Sequence, residues 1–355
     1  EISRAGLGTD ALSLLVAVMT RVPSTANLMA DNGVTARPTQ VLVRTGGVLC
    51  DITNVSSTGA GYKPTGSKHL KLEQPSAVPV AGVVGDAHGE DAEGEPGNKD
   101  NPQYVVEYAR DIYSMLERDE SSYLPRPDYL EAQPDINSKM RAILVDWLVE
   151  VHMKYKLKTE TLFLAVNLID RFLERRKITR KKLQLVGVTG MLIAAKFEEI
   201  YPPEVRDFVY ITDKAYAKEE ILQMEVAMLT ELEFTLCCPT VAHFFNRYQQ
   251  LNQCSEAHRH LLQYVLELTL PEFKMIRYSP STLAAAATLL SNKLTKHSPA
   301  WPPAMIRHTK HTETSVKSCA KEMCGLIEGA ERNPLQAVRK KFSQPKYSAV
   351  AKQTF

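Results

Sequence analysis

Gly187-Val-Thr-Gly-Met-Leu-Ile-Ala-Ala-Lys-Phe197 decides how the chain is read. It is almost free of charge and rich in small residues. A helix apolar on every side is buried all round, and small residues let neighbouring helices approach closely. The stretch can be laid on Ala284-Ala-Ala-Ala-Thr-Leu-Leu-Ser-Asn-Lys-Leu294, 97 residues further on. Two such helices in one chain predict two helical bundles in tandem, each built around a central helix. Working outward, helical patterns are expected over 137–155, 159–173, 179–199, 203–212 and 217–232. After the break at Pro239-Thr240 a second set covers 240–251, 256–270, 280–293 and 312–329, with a turn at Trp301-Pro-Pro. No run alternates with period two between turns, so strand signals are absent and the body reads as all-α. Ahead of it, Tyr104, Tyr108, Ile112 and Leu116 recur at four-residue steps on one face of a helix opened by Asn101-Pro102. Pro125, Pro127 and Pro134 mark an irregular connector.

The first 100 residues differ in kind. They hold 13 of the 17 glycines but, of all the aromatics, only Tyr62, and carry 8 Lys/Arg against 11 Asp/Glu. So few large side chains cannot bury enough surface to offset the entropy of ordering. This part is expected to be a disordered arm, with an acidic, Gly-rich linker over 86–100. The apolar run Ala11 to Met19 is too short for a membrane span, which needs about 20 residues, and lacks a signal peptide's basic start. The chain opens on Glu1, and the stretch before Met29 reads unlike the rest of the chain. It is expected to be a truncated or misread start without a function. The six cysteines form no CxxC pair and fit reduced thiols of a nuclear or cytosolic protein. A net charge of +2 argues against a nucleic-acid footprint.

Some charges stand where water is scarce. Arg141 and Asp146 lie within Met140-Arg-Ala-Ile-Leu-Val-Asp-Trp-Leu-Val-Glu-Val151, Asp170 within Leu168-Ile-Asp-Arg-Phe-Leu173, and Lys196 within Ile193-Ala-Ala-Lys-Phe197. Unpaired buried charge is costly, so each needs a partner. An interhelical Arg141–Asp170 ion pair is one solution. Lys196 instead stands at a helix end near a surface, where a cation also meets exposed carbonyls. The Met140 helix further carries a stripe of Met140, Leu144, Trp147 and Val151, with Ile143, Val145, Leu148 and Val149 on its other side. Unless the helix is central, one stripe is left exposed as a partner site. The plainer alternative is that the stripe is core.

At these residues the sequence resembles a known family. Met140 to Val151, Lys181-Lys-Leu-Gln-Leu-Val-Gly187, Ala195-Lys-Phe-Glu-Glu-Ile-Tyr-Pro-Pro-Glu204 and Asp207-Phe-Val-Tyr-Ile-Thr-Asp213 are similar to the mitotic cyclins of the A/B group. Arg180 to Thr189, Asp213-Lys-Ala-Tyr216 and Ala337-Val-Arg-Lys-Lys-Phe-Ser343 lean towards the B type. The resemblance covers about residues 100 to 350. It implies two five-helix cyclin boxes, at 135–238 and 239–345, preceded by an N-terminal helix and connector (101–134) and followed by a tail (346–355). It implies a non-enzyme, a regulatory subunit with no cofactor or metal that binds and activates a cyclin-dependent kinase at the G2/M transition, in nucleus and cytoplasm. Such a subunit holds the kinase's αC helix inward, completing a Lys–Glu pair and clearing the activation segment.

The resemblance also assigns residues. Lys196 and Glu225 would be the charged anchors of the kinase contact, with Phe197 beside them and Tyr108, Ile112 and Met115 on the N-terminal helix. Met140, Leu144 and Trp147 would form a docking patch for substrates and inhibitors carrying an Arg-x-Leu motif, with Glu150 for the Arg and Gln184 lining the groove. In the arm, Leu49-Cys-Asp-Ile-Thr-Asn54 resembles the latter part of a destruction box, Arg-x-x-Leu-x-x-Ile-x-Asn. Leu49, Ile52 and Asn54 fit it. Arg44 stands five residues before Leu49 rather than three, as if Gly46-Gly47 were inserted. Such a degron implies a ubiquitin ligase of the anaphase-promoting type as a partner, with Lys63, Lys68 and Lys71 as acceptors. Lys99-Asp-Asn101 faintly resembles a second degron.

Rival readings are thin. There is no Gly-rich phosphate loop, GxSxG or HExxH. His308-x-x-His311 followed by Cys319 and Cys324 fits no zinc spacing. A cyclin-fold transcription factor that binds DNA or polymerase would carry a basic stripe and a zinc ribbon, and the arm has neither. No nucleic-acid or membrane partner is expected.

Overall fold

A computed structural model of the chain describes residues 42–45, 48–51 and 106–353. Two units divide the chain, one of them Pro23–Ala87. Within that unit β1 (Leu42–Thr45) and β2 (Val48–Asp51) pair antiparallel, Arg44 opposite Leu49. This pair lies within the arm, whose composition leads one to expect disorder, and outside the all-α body. Gly46-Gly47 divides two β-branched and aliphatic runs, and such a dipeptide favours a two-residue hairpin; the motif comparison sees it only as an insertion. Ile52, Asn54, the arm lysines and Lys99-Asp-Asn101 lie outside the described residues.

The helical unit opens with α1 (Ala109–Asp119). The first box then runs α2 (Ser138–Tyr155), α3 (Thr159–Arg175), α4 (Arg180–Glu198), α5 (Val205–Ile211) and α6 (Lys218–Glu231). The second runs α7 (Val241–Leu251), α8 (Glu256–Thr269), α9 (Pro280–Leu294), α10 (Pro303–His308) and α11 (Glu313–Gly329). A short α12 (Ala337–Phe342) comes last. Among residues 106–353 no strand occurs. α2 starts where Asn137 accepts a hydrogen bond from Met140 N–H at 3.0 Å and so serves as its N-cap. Two short helices, α10 and α12, escape the periodicity; six residues hold too few repeats of a 3.6-residue pattern.

The two small-residue helices are the hubs. Leu183 to Ala195 of α4 are buried without interruption, and α4 packs on α2, α3, α5 and α6. α9 packs on α7, α8 and α11 in the same way. The close approach depends on glycine. A Cβ at Gly187 would stand 2.6 Å from Leu144 Cδ1, and one at Gly190 would stand 2.6 Å from Ile169 Cγ1. Neither separation is a van der Waals contact, so a larger residue forces Leu144 or Ile169 to shift within a packed core, or the helices to part.

Arg141 and Asp170 form the expected pair, and it does more than neutralise charge. Arg141 Nε and Nη2 donate to the two Asp170 oxygens at 2.6 and 2.7 Å, with both side chains buried. Tyr129 Oη donates to Asp170 Oδ1 at 2.8 Å. Arg141 Nη1 donates to the carbonyl of Leu270 at 2.9 Å. One guanidinium thus joins α2, α3 and the end of α8, and so joins the two boxes. Further ties between the boxes are Gln263 Nε2 to Thr159 Oγ1 at 2.9 Å and Asn246 Nδ2 to Glu160 Oε1 at 2.7 Å.

α12 seals the far side of α2. Asp146 Oδ1 accepts from Ala337 N–H at 2.9 Å. Lys341, fully buried, reaches both oxygens of the equally buried Glu267 at 2.6 and 2.8 Å. Phe342 packs on Tyr264 and Tyr347, with ring centroids 5.3 and 4.9 Å away.

These contacts lead to two measurements. Asp170→Ala strands a buried guanidinium and should lower the unfolding free energy by about 3–5 kcal/mol in urea titration; Arg141→Met with Asp170→Leu should lose less than that single change. A single-mutant loss below about 1 kcal/mol, the scale of an exposed pair, contradicts the structural role. Burial pushes the Asp146 carboxyl up to about 6 from its ordinary 3.8; the Ala337 N–H opposes this, Glu150 adds to it and Lys340 opposes it. Its folded pKa lies above the unfolded one. The stability it contributes is therefore complete below about pH 4 and lost as pH rises through about 6. Relative to Asp146→Asn, wild type should lose stability between pH 4 and 7; a difference that stays flat over that range contradicts the assignment.

Candidate functional site

Most apolar surface of the helical unit is consumed by packing, so the large apolar side chains left in solvent stand out. On α1 and the residue before it they are Tyr108 (58% exposed), Ile112 (38%) and Met115 (45%). These positions, spaced four and three apart, share one face. The other face holds the helix down. Tyr113 packs on Phe244, with ring centroids 6.3 Å apart, and lies under the Arg247 guanidinium at 5.0 Å. Leu116 joins the core. Below α1, the buried Glu120 accepts from Ser281 N–H and Oγ at 2.8 and 2.7 Å, and Lys310 reaches it at 2.7 Å. The four-residue stripe therefore splits: Leu116 packs inward, whereas Tyr108 and Ile112 face out. Tyr104 lies outside the described residues. Tyr113 is the anchor that the stripe does not include.

Lys196 stands in the last turn of α4 and donates from Nζ to Glu225 Oε1 at 2.7 Å. Ile221, Glu225 and Met228 form the inner face of α6, with Ile221 and Met228 in the core. That spacing carries a carboxylate inward to the rim, where α4 ends and Lys196 can meet it. The Lys196 side chain is 48% exposed and that of Glu225 11%. Exposed apolar residues flank both in sequence: Phe197, Ile200 and Tyr201 after the lysine, Val226 after the glutamate. Glu199 holds this corner. Its Oε1 accepts from Lys158 N–H at 2.7 Å and Thr161 Oγ1 at 2.5 Å, so it caps α3 from another helix. Lys158 Nζ returns a bond to Glu198 O at 2.8 Å. The cap joins residues about 40 apart in the chain, a distance no local motif reports.

The α2 stripe is not an exposed patch. Leu144 has no exposure and abuts Gly187. Met140, Trp147 and Gln184 are buried as well. Both faces of α2 are covered because α2 is central, with α3 and α4 on one side and α12 on another. The plainer alternative, core, is the correct one for Leu144. On the outer side Ile143 is half-buried, and Glu150 keeps 36% of its side chain in solvent beside Lys340. Ile143, which the stripe leaves out, is the apolar residue of α2 that neighbours this carboxylate's face.

His311 Nε2 is 2.9 Å from Ser281 Oγ. Burial pushes the Cys319 thiol up to about 12. Among the described residues no group of three His, Cys, Asp or Glu is placed to hold a metal ion, and no helix is long and apolar enough to cross a membrane.

Comparison with known proteins bears on this architecture. Residues 111–237 match the model of the cyclin N-terminal domain and residues 239–355 that of the cyclin C-terminal domain. The chain is 42% identical over 252 residues to a G2/mitotic-specific cyclin-B of Marthasterias glacialis, covering 71% of this chain and 65% of that one. It is 44% identical over 264 residues to a G2/mitotic-specific cyclin-A of Patella vulgata, covering 74% and 62%. The matched part thus spans about 60–65% of the length of these relatives. A viral cyclin from herpesvirus saimiri superimposes with a TM-score of 0.56 at 17% identity, over 61% of this chain and 96% of that one, a likeness of fold. With both cyclin domains matched in tandem and mitotic A- and B-type proteins as relatives, the chain belongs to the cyclin family.

Proposed function

We propose that this chain is the regulatory subunit of a cyclin-dependent serine/threonine kinase, acting at the G2/M transition and in mitosis, in nucleus and cytoplasm. The observation that carries the reading is the Lys196–Glu225 pair at 2.7 Å, on a rim flanked by exposed Phe197, Ile200 and Val226. The lysine end of the pair is half in water, so it can turn to groups on a docked helix, which then share Glu225 while the apolar flank is buried. A partner that buries both charges makes them decisive for affinity. The exposed face of Tyr108, Ile112 and Met115 supports a second contact on the same kinase. A subunit that grips the kinase αC helix acts by holding it inward, which completes the kinase's own Lys–Glu pair.

Substrate recruitment belongs to the same reading. Glu150 supplies the carboxylate for the Arg of an Arg-x-Leu peptide, with half-buried Ile143 and the edges of Met140 and Trp147 as apolar floor. The burial of Met140, Leu144, Trp147 and Gln184 makes their truncation a test of folding rather than of docking. Removal through a ubiquitin ligase of the anaphase-promoting type rests on the arm motif, of which Arg44 and Leu49 are register partners in the hairpin.

Lys196→Ala with Glu225→Ala should abolish stimulation of a mitotic cyclin-dependent kinase in a phosphorylation assay while leaving the melting temperature within a few degrees. Full stimulation by the double variant sinks the interface. Arg44→Ala with Leu49→Ala should leave the chain persisting through mitotic exit in a time course where wild type disappears; equal decay removes the degron reading.

A further inference from the structure

Two carboxylates one turn apart on α2, Asp146 and Glu150, face two donors one turn apart on α12, the Ala337 N–H and the Lys340 ammonium. The first contact is short, at 2.9 Å. The second is loose: Lys340 Nζ stands 4.0 Å from Glu150 Oε1, with 67% of the lysine side chain and 36% of the glutamate side chain in solvent. α12 itself is fixed by the buried Lys341–Glu267 pair, so Lys340 is held beside Glu150 by the fold and not by its own weak contact.

We propose that Lys340 is a built-in competitor for the docking carboxylate: in the empty chain it occupies the charge of Glu150, and the Arg of an Arg-x-Leu peptide must displace it. This deepens the docking reading of Glu150 and rests on it. The competition is unequal because the two cations differ. A guanidinium presents two parallel N–H donors to a carboxylate, whereas an ammonium at 4.0 Å makes no hydrogen bond. Arg therefore displaces Lys340, while a peptide with Lys at that position gains little over the contact it must break. Lys340 also offsets one of the two carboxylate charges of Asp146 and Glu150, which weakens the attraction that would speed encounter with a cationic peptide. Lys340 is thus a selectivity residue: it raises the threshold for weak, merely basic ligands and spares those with a correctly placed Arg.

The test measures the affinity of the full chain for a fluorescent Arg-x-Leu peptide at low and high salt, for wild type, Lys340→Ala, Glu150→Gln and the double variant. Lys340→Ala should tighten binding roughly two- to five-fold at low salt, the range of an exposed ion pair. That gain should vanish in high salt and in the Glu150→Gln background. A Lys-for-Arg peptide should gain at least as much from Lys340→Ala as the Arg peptide does. If Glu150→Gln weakens binding but Lys340→Ala does not strengthen it, the docking reading stands and the competitor is overturned. If Glu150→Gln leaves binding unchanged, the docking reading itself fails and the competitor falls with it.

Discussion

The bidentate bond between Arg141 and Asp170 is the constraint on which the rest of this structure depends. A guanidinium buried to 1% exposure cannot be left unpaired, and a carboxylate on α3 meets it in the geometry that satisfies both oxygens. The same guanidinium has a third edge, and that edge reaches Leu270 O in the second box. Tyr129 completes the cluster by donating to Asp170 and packing its ring on Phe273, with centroids 5.3 Å apart. The two bundles are in this way held at one mutual register by a polar bolt. Its desolvation cost buys specificity of arrangement, because few alternative packings would satisfy all of these groups at once.

With the boxes fixed, the distribution of leftover surface becomes meaningful. α4 and α9 absorb apolar contacts on all sides, and α12 covers the flank of α2 that would otherwise lie open. Exposed large apolar residues of the helical unit then include Phe197, Ile200 and Tyr201 where α4 ends and the outward face of α1, with Tyr210, Val226, Phe234 and Ile306 elsewhere. Charges at these rims are treated differently from those inside. Lys341 and Glu267 are wholly enclosed and serve the fold. Lys196 and Glu225 sit at the edge of water, where a partner can recruit them. Burial thus separates structural pairs from those available for recognition.

Much of this is legible in the sequence. Small-residue runs at Gly187 and Ala284 announce two buried hubs, because nothing else explains uncharged helices with no apolar face preferred. Misplaced charges at Arg141 and Asp170 announce a need for partners, and pairing with each other is one solution that desolvation favours. What escapes are features without periodicity or locality. α10 and α12 are too short for a 3.6-residue pattern, and α12 is what turns the second stripe of α2 from surface into core. Glu199 caps a helix some 40 residues away. Tyr113 anchors α1 from a position that the four-residue stripe skips. Gly46-Gly47 carries a hairpin signal that its place inside a degron-like motif disguises as an insertion.

Hydrogen exchange of the full chain, alone and with an equimolar mitotic cyclin-dependent kinase, tests the central claim most directly. New protection is expected in residues 108–115, 196–201 and 221–226, and none confined to α12. Stable binding that protects other surfaces and leaves these three segments exchanging as in the free chain would contradict it.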